Sequence, residues 1–490
     1  MSTLLEWSAF SLLPLYFLGS GLLDNGVSGS KRRKFGLSSS GVGCEHPSKI
    51  LHEGCIYLDY NATTPIFPEV SAAMQPFTLT EFGNPSSPHI YGNSCRKAVT
   101  EARERVAKLI NANASADVIF TSCGSESDNK AIDIAIHAYY QNTTNSAAFL
   151  LKPHVVTCAI EHPAVLVYLQ SLEKQGKILL TIVKVNGEGL VNALDVGNAL
   201  QDNSCLVTIM HSNNEVGSIQ PIAEIAKLID VFNNKSSSGG SSNGGKNKGC
   251  KVLFHSDAAQ SIGKVHVDVG ALGVDMLTIV GHKFGAPKGV ACLYMKEHVR
   301  NIVALQPLLS GGGQEFGLRA GTENVLLIVA LGEAARLADD EQKQILNHML
   351  ILKKKLIISL IANCGTLLSH RFNGPKDECS IDRIEDVLQS NTNSSALRQL
   401  PNTVSVSFRN LKVHEVIPKL LNTVAVSAGS ACHAGQPGMS GVLEAMEVPL
   451  EYGLGTFRIS VGRHTTEDEI EEATKYIAAA MKELMNDECK

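Results

Sequence analysis

Five short runs constrain the fold of this chain most: DVIFTS (117–122), HVVTCAI (154–160), CLVTIMH (205–211), KVLFHSD (251–257) and DMLTIVG (275–281). Apolar residues occupy both alternating positions in each run, so neither face of the resulting strand suits water. Helical patterns separate them, among them EARERVAKLINA (101–112) and PIAEIAKLIDVF (221–232). Strands buried on both faces and spaced by helices predict an α/β fold with a mostly parallel sheet covered on each side. Ligands of such sheets collect at the carboxyl ends of the strands.

The 490 residues allow more than one domain. Folded sequence is expected from CIYLDYNATTP (55–65), preceded by a poorly ordered extension over residues 1–54. That extension holds an apolar stretch, WSAFSLLPLYFLGSGLL (7–23), followed by SKRRK (30–34). The positive charges come after the apolar residues, the reverse of a secretory signal. Pro14, Gly19 and Gly21 also interrupt a segment already short for a membrane span. NNKSSSGGSSNGGKNKG (233–249) predicts a flexible insert between a helix and a strand. CSIDRIEDVLQSNTNSS (379–395) predicts an irregular polar segment before LPNTVSVSF (400–408), a strand of a smaller C-terminal unit. The end of the chain predicts an amphipathic helix with Thr466 as N-cap and Glu469 at capping-box spacing.

A net charge of −5 argues against a nucleic-acid partner held by bulk charge. Twelve cysteines without a CxxC pair argue against a zinc site, so no metal is expected. A chain of this size does not need a disulfide framework, which points to a reducing compartment. The expected location is the cytoplasm. A mitochondrion, or weak membrane association through residues 7–23, is the alternative.

The polar residues that close the strands carry the chemistry. Asn213 and Asn214 follow CLVTIMH. Asp257 ends KVLFHSD, with Gln260 three residues on, and His282 and Lys283 follow DMLTIVG. The turn CGSES (123–127) follows DVIFTS and opens a helix expected from near Asp128. Alone, each has an ordinary explanation: a solvated lysine, an N-cap aspartate, a structural histidine. Together they suit pyridoxal 5′-phosphate, which needs a lysine for a Schiff base, a carboxylate for the pyridine nitrogen and a helix N-terminus for the phosphate. Lys283 and Asp257 take the first two roles. Gly124 and Ser125 offer phosphate donors, and His162 in AIEHPAV is placed to stack on the ring.

Beyond these positions, YLDYNATTP, FGNPSSPHIYG, IFTSCGSESDN, AIEHPAVL, VTIMHSNNEVG, FHSDAAQSIGKVHVDV, LTIVGHKFGAPKG, SGGGQEFGLRAGTEN, SAGSACHAG and FRISVGRHTTEDE occur in order across residues 55–470. In these segments the chain resembles the NifS-like class-V aminotransferase family, that is cysteine desulfurases and, more closely, selenocysteine lyases. The resemblance implies a fold type I enzyme: a large domain (70–315) with a mostly parallel seven-stranded sheet, and a smaller α/β domain (55–69 with 316–490). It also implies that Lys283 carries the cofactor, Asp257 meets the pyridine nitrogen and Gln260 meets the ring hydroxyl. Asn214 orients cofactor and substrate, while Gly124, Ser125 and His282 hold the phosphate. Thr322 reaches the phosphate from the partner subunit of a homodimer. Arg458 pairs with the substrate carboxylate, and Cys432 is the nucleophile. Sulfur or selenium passes from L-cysteine or L-selenocysteine to Cys432, alanine is released, and an acceptor protein takes the chalcogen.

Several positions depart from the desulfurase pattern. Val280 stands where those enzymes commonly have serine, and His433 follows the cysteine; both are features of the lyases. Cys123 replaces a usual glycine, and Ser125 replaces a threonine but keeps its hydroxyl. Two other functions use the same scaffold: another reaction such as transamination, which has no use for Cys432, and a catalytically idle partner.

Overall fold

In the computed structural model the apolar runs are strands. The structure describes residues 54–143, 151–238, 251–303, 307–375, 397–429 and 438–488. The N-terminal extension, most of the insert after residue 232, the polar segment 379–395, and Cys432 with His433 lie outside the described residues.

In chain order the first strands are β1 (Ile56–Tyr57), β2 (Val118–Thr121), β3 (His154–Cys158), β4 (Leu179–Val183), β5 (Ser204–Thr208) and β6 (Leu253–Asp257). They are followed by β7 (Met276–Val280), β8 (Ala291–Met295), β9 (His370–Asn373), β10 (Thr403–Phe408), β11 (Val424–Ala425) and β12 (Thr456–Ser460). Seven form one sheet in the order β2-β8-β7-β6-β5-β3-β4. Six run in one direction, and β8 runs antiparallel to both its neighbours. Neither β4 nor β8 was anticipated. LLTIV of β4 has little contrast in polarity, and as the edge strand it is mostly exposed or half-buried.

Successive residues of the central strands enter two different cores. Val207 and Phe254 face one buried cluster, and their neighbours Leu206 and Leu253 face another. This is the physical content of a run that is apolar on both alternating positions. The first cluster continues through Val404 and Phe457 into the antiparallel sheet β12-β10-β9, so the two sheets share an apolar core. The pair β1–β11 is tied to the edge of β12 by bridges Asp59–Ser460 and Ser427–Arg458.

The helix after β2 begins at Gly124, earlier than the expected start near Asp128. Glu126 secures the first turn by accepting the Ser122 N–H at 2.7 Å. The C-terminal helix, Glu467–Glu488, has the expected capping box. Thr466 N–H donates to Glu469 Oε2 at 2.7 Å and Glu469 N–H donates to Thr466 Oγ1 at 3.2 Å.

One buried ion pair ties distant parts of the chain together. Arg103 meets Glu315 through two bonds of 2.6 Å, and Glu315 also accepts the Phe120 N–H at 2.8 Å. Both side chains are nearly inaccessible. A Glu315→Gln chain leaves the buried guanidinium without its counter-charge, at an expected cost of about 3–5 kcal/mol. Urea unfolding checks this value. Replacing both residues by methionine should recover most of the loss, because the buried charge is then gone as well.

Candidate active site

The parallel strands bring their carboxyl ends to one edge of the sheet, and the polar residues gather there. Asp257 is the last residue of β6 and is buried, with Oδ1 accepting the Ala259 N–H at 2.8 Å. Burial pushes its carboxyl upward; the neighbouring His162 ring, the Ala259 N–H and the positive charge of Lys283 pull it back. Lys283 closes the short turn after β7, and its Nζ donates to the carbonyl oxygens of Asn61 at 2.8 Å and Ala62 at 2.9 Å.

His162 caps the helix Pro163–Lys174: its Nδ1 accepts the Ala164 N–H at 3.1 Å. A backbone N–H can only donate, so Nδ1 carries no proton and the neutral ring presents Nε2–H. Burial lowers the proton affinity of this ring, which keeps it neutral. The adjacent Glu161 is pushed up to about 8 by burial, helped by the charge of Asp257. Its Oε1 accepts the Met210 N–H at 2.7 Å, and a proton on the acid prevents a bare charge at the buried Oε2.

At the end of β2, Ser125 and Cys123 are exposed on the turn that opens the helix Gly124–Thr143. A side chain at 124 would collide with Val280, whose Cγ2 lies 2.7 Å from the place a Cβ would take. Val280 therefore supplies packing beneath the turn. His282 contacts Thr63 Oγ1 through Nδ1 at 3.1 Å, and burial lowers its pKa to about 4. Thr322 is exposed on the loop before the helix Val325–Asp340.

Arg458, on β12, is 1% exposed. Its Nη2 donates to Asp59 Oδ1 at 2.7 Å and Ser427 Oγ at 3.0 Å, and its Nη1 donates to the Asn214 carbonyl at 3.3 Å. Nε is buried without a partner. Asp59 is a counter-ion that sequence reasoning did not find; the residues are 399 apart in the chain.

Asn61 is the other residue overlooked, although it lies within YLDYNATTP. All its polar groups are engaged. Its carbonyl accepts from Lys283 and from Gln260 Nε2 at 3.0 Å. Its Oδ1 accepts from Lys264 Nζ at 3.1 Å and from Asn402 Nδ2 at 3.0 Å. Its Nδ2 donates to the Asn214 carbonyl at 3.1 Å and to Thr403 Oγ1 at 2.8 Å, and its N–H donates to Ser460 Oγ at 3.0 Å. Asn61 thus joins the residues after β5 and β7 to the three-stranded sheet. Among the described residues no group of histidine, cysteine, aspartate or glutamate side chains could hold a metal ion.

Residues 56–236 and 242–472 match the aminotransferase class-V family. The chain belongs to that family. A cysteine desulfurase of Trichormus azollae is 37% identical over 430 residues, covering 88% of this chain and 93% of the relative. A solved NifS-like protein has a TM-score of 0.69 at 30% identity, with 88% of this chain and 99% of that one covered. SspA in complex with cysteine has a TM-score of 0.61 at 30% identity, with coverage of 84% and 99%. This class-V chain is an enzyme of fold type I, and its cofactor is pyridoxal 5′-phosphate. The residues fit that group: an amine, a buried carboxylate seeking a cationic partner, and a helix N-terminus share one edge of the sheet.

The sheet beneath the site also predicts a pH effect. His255 is buried in β6, between Thr208 Oγ1 at 2.9 Å and Thr278 Oγ1 at 3.0 Å, and burial lowers its pKa to about 3. Once the pH falls below the ordinary value of 6.5, the unfolded chain takes up a proton that the native histidine refuses. Stability is then lost. Relative to a His255→Gln chain, the wild type should lose about 1.4 kcal/mol per pH unit between about pH 6 and 4, as read from urea unfolding.

Proposed function

We propose that this enzyme removes sulfur from L-cysteine, and selenium from L-selenocysteine, giving L-alanine and a persulfide or selenosulfide on Cys432. One observation carries the proposal: Ser427, five residues before Cys432, bridges to Arg458 and bonds its guanidinium. The described residues that precede the thiol thus lie beside a buried group suited to an amino-acid carboxylate. Gly429, on the way to Cys432, has φ +80°, a left-handed turn that favours glycine. The relatives named as cysteine desulfurases, and the neighbour solved with cysteine, support the same substrate class.

In this proposal Lys283 holds the cofactor, Asp257 faces the pyridine nitrogen, His162 lies against the ring and Gln260 meets its hydroxyl. Gly124, Ser125 and His282 hold the phosphate, with Thr322 of a second copy. Bound pyridoxal phosphate supplies an electron sink for the Cα of an attached amino acid. Lys283, as a free amine, accepts and returns the Cα proton. Arg458 receives the substrate carboxylate at Nε, and Asn214 helps orient the substrate. The Cys432 thiolate forms a bond to the chalcogen as the Cβ–chalcogen bond breaks. The electron pair of that bond stays on carbon and is protonated to give the methyl group of alanine.

The division into a large unit (70–315) and a smaller one (55–69 with 316–490) belongs to the same proposal. So does the homodimer, which the exposed Leu79, Phe82, Ile90 and Tyr91 support as a covered surface. A sulfur or selenium acceptor protein follows from the need to unload Cys432. The test is parallel turnover of L-cysteine and L-selenocysteine, measuring alanine together with released sulfide or selenide under reducing conditions. Stoichiometric alanine and chalcogen from at least one substrate is the expected result. Formation of 3-mercaptopyruvate or its selenium analogue, with the chalcogen still on Cβ, would instead identify a transaminase.

A further inference from the structure

Lys264 is a buried lysine that none of the steps above uses. It is 3% exposed, and among the described residues it makes no ion pair with a carboxylate. Its Nζ donates to Asn61 Oδ1 at 3.1 Å and Gln260 Oε1 at 2.9 Å. Both acceptors are unambiguous. Asn61 Nδ2 faces the Asn214 carbonyl and Gln260 Nε2 faces the Asn61 carbonyl, so the opposite end of each amide is its oxygen. Reversing the Gln260 amide would set its NH₂ against the Lys264 amine and its oxygen against the Asn61 carbonyl, losing both bonds.

Lys283 Nζ and Gln260 Nε2 converge on that single Asn61 carbonyl oxygen. The N–H edge of Gln260 is therefore the edge turned toward the amine that takes the cofactor. Lys264 lies behind it. Burial lowers the proton affinity of Lys264, so the direction of this bonding is fixed by the two amides and not by the lysine's charge. Lys264 and Lys283 line one cleft with Tyr60, Phe67, Phe284 and Met349. Lys283 and Arg458 add positive charge around Lys264. Arg463, in the same cleft, is already paired with Glu69 and Glu341.

We propose that Lys264 is a positioning residue: by holding Gln260 Oε1 it makes Gln260 present an N–H donor, and so selects a cofactor whose ring oxygen accepts a hydrogen bond. The inference rests on the proposed site at Lys283. It gives a buried lysine without a carboxylate partner a task that it performs as a hydrogen-bond donor, whether or not it carries a charge.

The test compares the affinity of the full-length, cofactor-stripped chain for pyridoxal 5′-phosphate and for its 3-deoxy analogue, which lacks the ring hydroxyl. Binding is followed by fluorescence quenching and requires no turnover. Lys264→Met should weaken binding of pyridoxal phosphate by about tenfold while leaving the deoxy analogue within about twofold. Gln260→Glu keeps the bond to Lys264 but removes the N–H, and should show the same selective loss. Equal losses for both ligands in Lys264→Met, or an unchanged preference in Gln260→Glu, overturn the proposal. If the methionine variant fails to fold, Lys264→Gln takes its place in the same comparison, with the same selective loss expected and equal losses for both ligands overturning the proposal. Failure of the unmodified chain to bind either ligand would instead overturn the site at Lys283.

Discussion

A Cys432→Ala chain should lose alanine formation from L-cysteine by at least about 10³-fold while binding pyridoxal phosphate as the wild type does. The two properties separate because they draw on different parts of the chain. In the proposed site cofactor binding depends on Lys283, Asp257 and the helix N-terminus at Gly124, all at the carboxyl edge of the seven-stranded sheet. The thiol lies later in the sequence than β11 and Ser427, the residue that bridges to β12. The magnitude reflects the loss of a nucleophile: no other group in the proposed mechanism takes the chalcogen from Cβ. An ordinary thiol, with pKa near about 8.5, is only partly thiolate at neutral pH, so activity should also rise with pH on the acid side of that value. Full retention of alanine formation in the variant would remove the persulfide route and favour another reaction on this scaffold. The measurement is steady-state alanine release, paired with a cofactor absorbance titration.

Lys283→Ala should lower turnover by about 10⁴-fold or more, because in the proposed site one amine serves both as cofactor attachment point and as proton carrier. Its placement suits both uses. Two backbone carbonyls, of Asn61 and Ala62, hold Nζ, and neither can take a proton from it. Asp257 and Lys283 also sense each other, so removing the amine leaves the buried carboxylate with less opposing charge. Borohydride reduction followed by peptide mass analysis gives the direct readout. The wild type should carry a cofactor-derived mass on the Lys283 peptide, and the variant should carry none. Unchanged labelling of the chain in the variant would place the attachment on another lysine.

Much of the fold was legible because burial on both faces leaves a mark in the sequence. β2, β3, β5, β6 and β7 all lie within the five apolar runs, extended at one end by Ser204 in β5. The capping box at Thr466 was legible for a different reason: both partners lie within one turn of helix. β4 was not, since a short apolar run such as LLTIV does not by itself distinguish a strand from a helix, and at the sheet edge only Val183 is buried. The start of the helix after β2 was placed too late, because Gly124 and Ser125 are weak helix formers. The capping bond that allows the early start comes from Glu126.

The sequence by itself determined the chemistry that this protein carries. Amine, carboxylate, imidazole and guanidinium each follow an apolar run or stand in an ordered motif, and their joint order points to a pyridoxal phosphate enzyme of the class-V family. Only the tertiary structure decided how those groups are held. Arg458 is ion-paired to Asp59, Arg103 to Glu315, and Lys264, Gln260 and Lys283 share Asn61. The reason is physical. A strand or a helix cap is written in neighbouring residues, whereas a buried polar group must find its partner wherever the chain returns. For the Asp59–Arg458 pair that separation is 399 residues.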